Sequence, residues 1–67
     1  MKKISIKGAR IEKGMTQKEV GNVMGVTPET ISNWERNITS PSAIQLMRLC
    51  EIYGVELADI FLDKELA

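Results

Sequence analysis

A chain of 67 residues makes a single domain with a thin core, because at this size only about 60% of the unfolded surface is buried on folding. Nine Lys and Arg balance nine Asp and Glu, so net charge points to no class of partner. His is absent and Cys occurs once, which excludes an internal disulfide, a zinc site and a nucleophile–base pair, and the length leaves no room for a lidded substrate cleft; an enzyme is not expected.

The opening residues, Met-Lys-Lys-Ile-Ser-Ile-Lys, lack the apolar run of a signal sequence, and no stretch approaches the 18 or more apolar residues of a membrane span. The expectation is a soluble, cytoplasmic domain spanning 1–67, with no cofactor, no metal, no membrane contact and no evident small-molecule ligand. Charge is unevenly spread along it. Residues 1–36 hold seven cations and four anions (+3), whereas residues 37–67 hold two and five (−3). Such a dipolar chain is able to offer a positive face to a polyanion, though two solvated surfaces of opposite sign explain it equally well.

Taken in order, five short helical segments are predicted between regular stops at Gly14, Gly25, 37–41 and Gly54, and no stretch sustains the two-residue alternation of a strand. The first runs from about Ser5 to Lys13, with Ile6, Ala9 and Arg10 on one side. The second opens at Thr16, with Glu19 three residues on to complete a capping box, and continues through Val20, Val23 and Met24 to Gly25. The third is capped by Thr27, has Pro28 in its first position and runs to about Arg36, with Ile31 and Trp34 or Glu35 turned inward. Asn37 then suits a left-handed helix end.

The fourth starts near Ser40-Pro41-Ser42. Its stripe is Ala43, Leu46, Met47, Cys50 and Tyr53, with Leu49 at the edge. A last short helix from Glu56 to about Leu62 carries Leu57, Ile60 and Phe61. The fold class is therefore all-α, a compact bundle of about five short helices.

The informative stretch is 16–36. Two helices joined through a three- or four-residue turn need a small residue where their axes approach, as Gly21 provides. They also need a residue that accepts a positive φ in the turn, as Gly25 provides. Val20, Met24, Val26, Ile31 and Trp34 are spaced to fill the angle between them. These are the demands of a helix-turn-helix.

The residues now on view resemble the Cro/repressor family of helix-turn-helix proteins, the xenobiotic-response-element-like regulators of bacteria and phages. Lys13-Gly14-Met15-Thr16-Gln17 resembles the family's entry into its second helix, and Ile31-Ser32-Asn33-Trp34-Glu35-Arg36 its Ile-Ser-x-Trp-Glu-Arg signature. Pro41-Ser42 and Tyr53-Gly54-Val55 match the frame of the fourth helix, so the resemblance covers nearly the whole chain.

The resemblance implies a lambda-repressor-like domain and a dimeric, sequence-specific regulator of transcription. It would bind palindromic double-stranded DNA with its third helix in the major groove. Carried over by position, Pro28, Glu29, Ser32 and Asn33 face the bases. Asn33 suits adenine N6 and N7, and Glu29 suits cytosine N4, although an acid in the first turn also complements the helix dipole. Pro28 departs from the family's polar reader and offers at most an apolar touch on a thymine methyl.

Gln17 and Thr27 at helix starts, with Asn37, Thr39 and Ser40 after the third helix, are the phosphate candidates. Asn37 stands where many relatives have Gly, so its role is conformational as readily as contacting. Arg10 and Glu35 match a structural ion pair of the family. Trp34 is a core residue, or else has its edge near DNA. Cys50 is a small buried residue.

Dimer contacts are expected from Leu57, Ile60, Phe61 and Leu62, with Ile44 and Ile52 as an extension of the apolar patch. The alternative is an antitoxin-type or other protein-interaction module in which DNA binding is secondary or lost, a reading that Glu29, Pro28 and zero net charge keep open.

Overall fold

In the computed structural model, residues 4–60 are described, and they form four α-helices followed by one turn of 3-10 helix. The helices are α1 (Ile6–Lys13), α2 (Gln17–Met24), α3 (Pro28–Glu35) and α4 (Ala43–Tyr53), and the 3-10 turn is Leu57–Asp59. Each helix begins on a hydroxyl that its sequence places one residue ahead of the first turn. Ser5, Thr16, Thr27 and Ser42 each accept a backbone N–H three residues on. At Thr16–Glu19 and Ser42–Gln45 the partner side chain also returns the bond, giving two capping boxes. The stops are equally local: Gly14, Gly25 and Gly54 end α1, α2 and α4 in the left-handed conformation, and Asn37 takes a φ of 63° just past α3.

The core is a single cluster drawn from every helix: Ile6 and Ala9 of α1, Val20 of α2, Ile31 and Trp34 of α3, Leu49, Cys50 and Tyr53 of α4, and Ile60 beyond the 3-10 turn. Ile31, Leu49 and Val20 are the largest side chains fully closed off from solvent. Met15, Met24, Val26, Leu46 and Ile52 pack around this centre as partly buried residues.

Three expectations are corrected by the packing. The last segment is a single 3-10 turn, after which Ile60 is extended and forms an isolated parallel bridge with Ile4; the Ile4 amide donates to the Asp59 carbonyl at 2.8 Å. On α4 the buried stripe is rotated from the expected one: Leu49 is central, whereas Ala43 and Met47 face solvent. Two overlapping sets at helical spacing, one through 43, 46, 47 and 50 and the other through 46, 49, 50 and 53, are both apolar, and only the position of the other helices selects between them. Val23 is likewise exposed, because α2 turns Val20, Gly21 and Met24 toward the core and leaves Val23 beside that face.

Candidate nucleic-acid interface

The geometry of α2 and α3 is set by backbone contacts at their junction. Gly21 is buried, and a Cβ built on it would lie 2.7 Å from the Val26 carbonyl oxygen and 3.3 Å from the Thr27 carbonyl carbon. No side chain fits there, so the turn and the start of α3 lie directly against α2. Gly25 reverses the chain at φ 76°, and its amide and that of Val26 both donate to the Gly21 carbonyl. With Ile31 and Trp34 buried on the inner side, α3 is locked in rotation. Pro28 and Glu29 are then exposed, and Ser32 and Asn33 half-exposed one turn later. The four residues expected to face bases thus share the outward side of α3.

The phosphate candidates are held with different degrees of freedom. Thr27 Oγ1 accepts the Thr30 amide at 3.1 Å and pairs with the Thr30 hydroxyl at 2.9 Å, so its side chain is engaged as a cap. Asn37 is half-buried, and Thr39 and Ser40 are exposed. The amides of Ile38 and Thr39 both turn back to the Asn33 carbonyl, at 2.9 and 3.4 Å, which fixes the loop at the end of α3.

Gln17 is held in a way the sequence reading did not foresee. Its Nε2 donates to Glu35 Oε1 at 3.1 Å, and Glu35 is in turn gripped by Arg10, whose Nε and Nη2 donate to Oε2 and Oε1 at 2.7 and 3.2 Å. Arg10 Nη1 also donates to the Met15 carbonyl at 2.9 Å. One carboxylate therefore joins α1, the start of α2 and the end of α3. The Glu35 hydrogen bonds push the Arg10 guanidinium above its ordinary pKa, so it stays charged. Burial, with Glu35 nearby, pushes the Tyr53 hydroxyl up to about 12.

A second unforeseen contact lies on the outward face: Arg36 Nη2 donates to Asn33 Oδ1 at 3.3 Å. Its signal was present in the sequence, since residues three apart on a helix are neighbours.

Trp34 is 5% exposed and belongs to the core, and Cys50 is buried with its thiol pKa raised by desolvation. Of the four residues expected at a dimer contact, Ile60 is corrected: it is 8% exposed within its own chain, because the bridge to Ile4 folds it onto the core. Leu57 is about half exposed, and Phe61 and Leu62 lie outside the described residues. Ile52 packs against the core, whereas Ile44 is the most open large apolar side chain among the described residues, at 76%. Among the described residues no group of three or more acidic, Cys or His side chains gathers as a metal site, and no helix is long and apolar enough to cross a membrane.

Comparison with known proteins agrees with this geometry. A family model described as helix-turn-helix matches residues 6–60, which spans all four helices and the 3-10 turn. The chain is 33% identical over 60 residues to the cryptic phage CTXphi transcriptional repressor RstR of Vibrio cholerae, covering 90% of this chain and 54% of that protein. It is 33% identical over 60 residues to the HTH-type transcriptional regulator ImmR of Bacillus subtilis, covering 90% and 46%. An uncharacterized HTH-type transcriptional regulator of the same organism, YgzD, is 27% identical over 59 residues, with 88% and 89% covered. The chain thus spans about half the length of RstR and ImmR and most of YgzD. No solved structure matches it. The locked outward face of α3, the glycine-dependent turn and the match over 6–60 together place this chain in the helix-turn-helix family of DNA-binding transcriptional regulators, of the Cro/repressor type.

Proposed function

We propose that this chain represses transcription as a two-fold dimer on a palindromic operator, with α3 of each copy in the major groove. The observation that carries the reading is the rotational lock on α3. Ile31 and Trp34 are buried, so Pro28, Glu29, Ser32 and Asn33 form the only side that a groove is able to meet. Glu29 accepts from a cytosine N4, Pro28 touches an apolar group such as a thymine methyl, and Ser32 and Asn33 read the next positions. Gln17, Thr27, Asn37, Thr39 and Ser40 hold the phosphates on either side. Arg10 and Glu35 keep the helices in register and do not contact DNA.

A single unit of this size makes too few contacts for tight specific binding, so a second copy supplies the other half-site about 34 Å away. Exposed Leu57 belongs to the surface between copies, with Phe61 and Leu62, while Ile60 supports it from within. Repression follows from occupancy of the operator, and RstR, to which the chain is similar, is a transcriptional repressor.

The test is a fluorescence-anisotropy titration with the DNA upstream of the chain's own gene and a scrambled duplex, at about 50 and about 200 mM salt. Six or more phosphates neutralised by Lys and Arg across the two copies predict a loss of about a thousandfold between those salts, and only the upstream duplex should bind tightly. Equal, weak binding to both duplexes overturns specific regulation at that site. In the same samples, sedimentation should show a dimer that Leu57→Lys shifts toward monomer; an unchanged distribution removes Leu57 from the interface.

A further inference from the structure

The contact between Arg36 and Asn33 constrains the amide at the end of α3. An asparagine left to itself is suited to adenine: Oδ1 accepts from N6 and Nδ2 donates to N7. Here Arg36 Nη2 donates to Asn33 Oδ1 at 3.3 Å. The opposite orientation of the amide would set its two N–H donors against the donors of the guanidinium, so the cation fixes which way the amide faces. Asn33 then offers its Nδ2 donors outward, beside a permanent positive charge.

The backbone reinforces the pairing. The Asn33 carbonyl receives the amides of Ile38 and Thr39, and the Arg36 amide donates to the Ser32 carbonyl, so neither residue shifts without undoing the end of α3. Among the described residues, the acids of α3 are Glu29, about two turns back from Arg36, and Glu35, which is held by Arg10 and Gln17.

We propose that Arg36 is a specificity-determining residue that makes Asn33 read guanine and reject adenine. A donor-only edge matches guanine, which presents two acceptors, N7 and O6, in the major groove. Adenine presents N6–H donors to the same edge, next to the guanidinium charge. Arg36 acts through Asn33 in this, and its other N–H groups remain available for the same guanine or the adjoining phosphate. The inference rests on the reading of α3 as the base-contacting helix.

The experiment is selection from a random-sequence duplex library with the wild-type chain, Asn33→Ala and Arg36→Met, each checked for native helical content by circular dichroism. The position whose preference Asn33→Ala abolishes is the one that Asn33 reads. Wild type should show guanine there, about tenfold or more over adenine. Arg36→Met keeps the apolar stem without the donors, and should move that position toward adenine while leaving the other positions of the site unchanged. Any base other than guanine in the wild type, no position lost in Asn33→Ala, or the same guanine preference in Arg36→Met overturns the proposal. Failure of the wild type to enrich any sequence overturns the base-reading role of α3 itself, and this inference with it.

Discussion

Glu35 holds three elements with two oxygens. Its side chain is 3% exposed and that of Arg10 12%, so both ions have left water for the 2.7 Å contact between them. A pair of this kind contributes modestly to net stability, yet either ion alone would be stranded by loss of the other. The Gln17 bond extends the same clamp to the first residue of α2, so the amide expected at a phosphate is aimed by a residue 18 positions later.

Tyr53, the chain's one tyrosine, lies close enough to feel both charges, and burial with Glu35 raises its pKa to about 12. A group whose folded pKa lies above the unfolded value of about 10 stabilises the fold fully below pH 10, and that contribution is lost as pH rises toward 12. Tyrosinate absorbance in the native chain should therefore rise near pH 12, and urea midpoints should fall between pH 10 and 12. Titration near pH 10 with the helices intact would show that Tyr53 is not desolvated as described.

The α2–α3 unit depends on two glycines for different reasons. At Gly25 the requirement is conformational: φ is 76° and a Cβ would meet nothing within 4 Å. At Gly21 it is steric, since a Cβ would press on the backbone of Val26 and Thr27, which has no flexible end to yield. Gly21→Ala should cost about 1–3 kcal/mol in denaturant unfolding, as overpacking does. It should also weaken DNA binding by the protein that remains folded, because the start of α3 must move away from α2. A variant that loses stability but binds as wild type would show that the turn absorbs the methyl without moving α3.

The caps and glycine stops made these elements legible in the sequence. They act within four residues, so Thr16–Glu19, Thr27-Pro28 and Gly25 specify the same ends in any context. The α4 stripe was only half legible, because Met47 and Leu49 are both apolar at helical spacing and the difference lies in what surrounds them.

At the scale of the molecule, the core is small enough that each centre matters. A domain of this size is stable by only about 3–10 kcal/mol, at 0.05–0.15 kcal/mol per residue. Leu49 is 1% exposed and Met47 57%. Leu49→Ala should remove about 2–5 kcal/mol and lower Tm by at least about 10 °C, whereas Met47→Ala should stay within about 0.5 kcal/mol. Equal effects in a thermal melt would refute the stripe described for α4. The ends of the described chain also meet, through the Ile4–Asp59 hydrogen bond and the Ile4–Ile60 bridge, which converts an expected interface residue into a core one.

By itself, the sequence determined the all-helical class, the helix ends, the glycine-dependent turn and the family signature, because all of these rest on local backbone chemistry and fixed spacings. Only the tertiary structure decided which apolar face of α4 is buried, that Ile60 turns inward, and that Gln17 joins Arg10 on Glu35. Those outcomes depend on competition among partners brought together by packing, and a competition between distant residues leaves no mark on the spacing of either one.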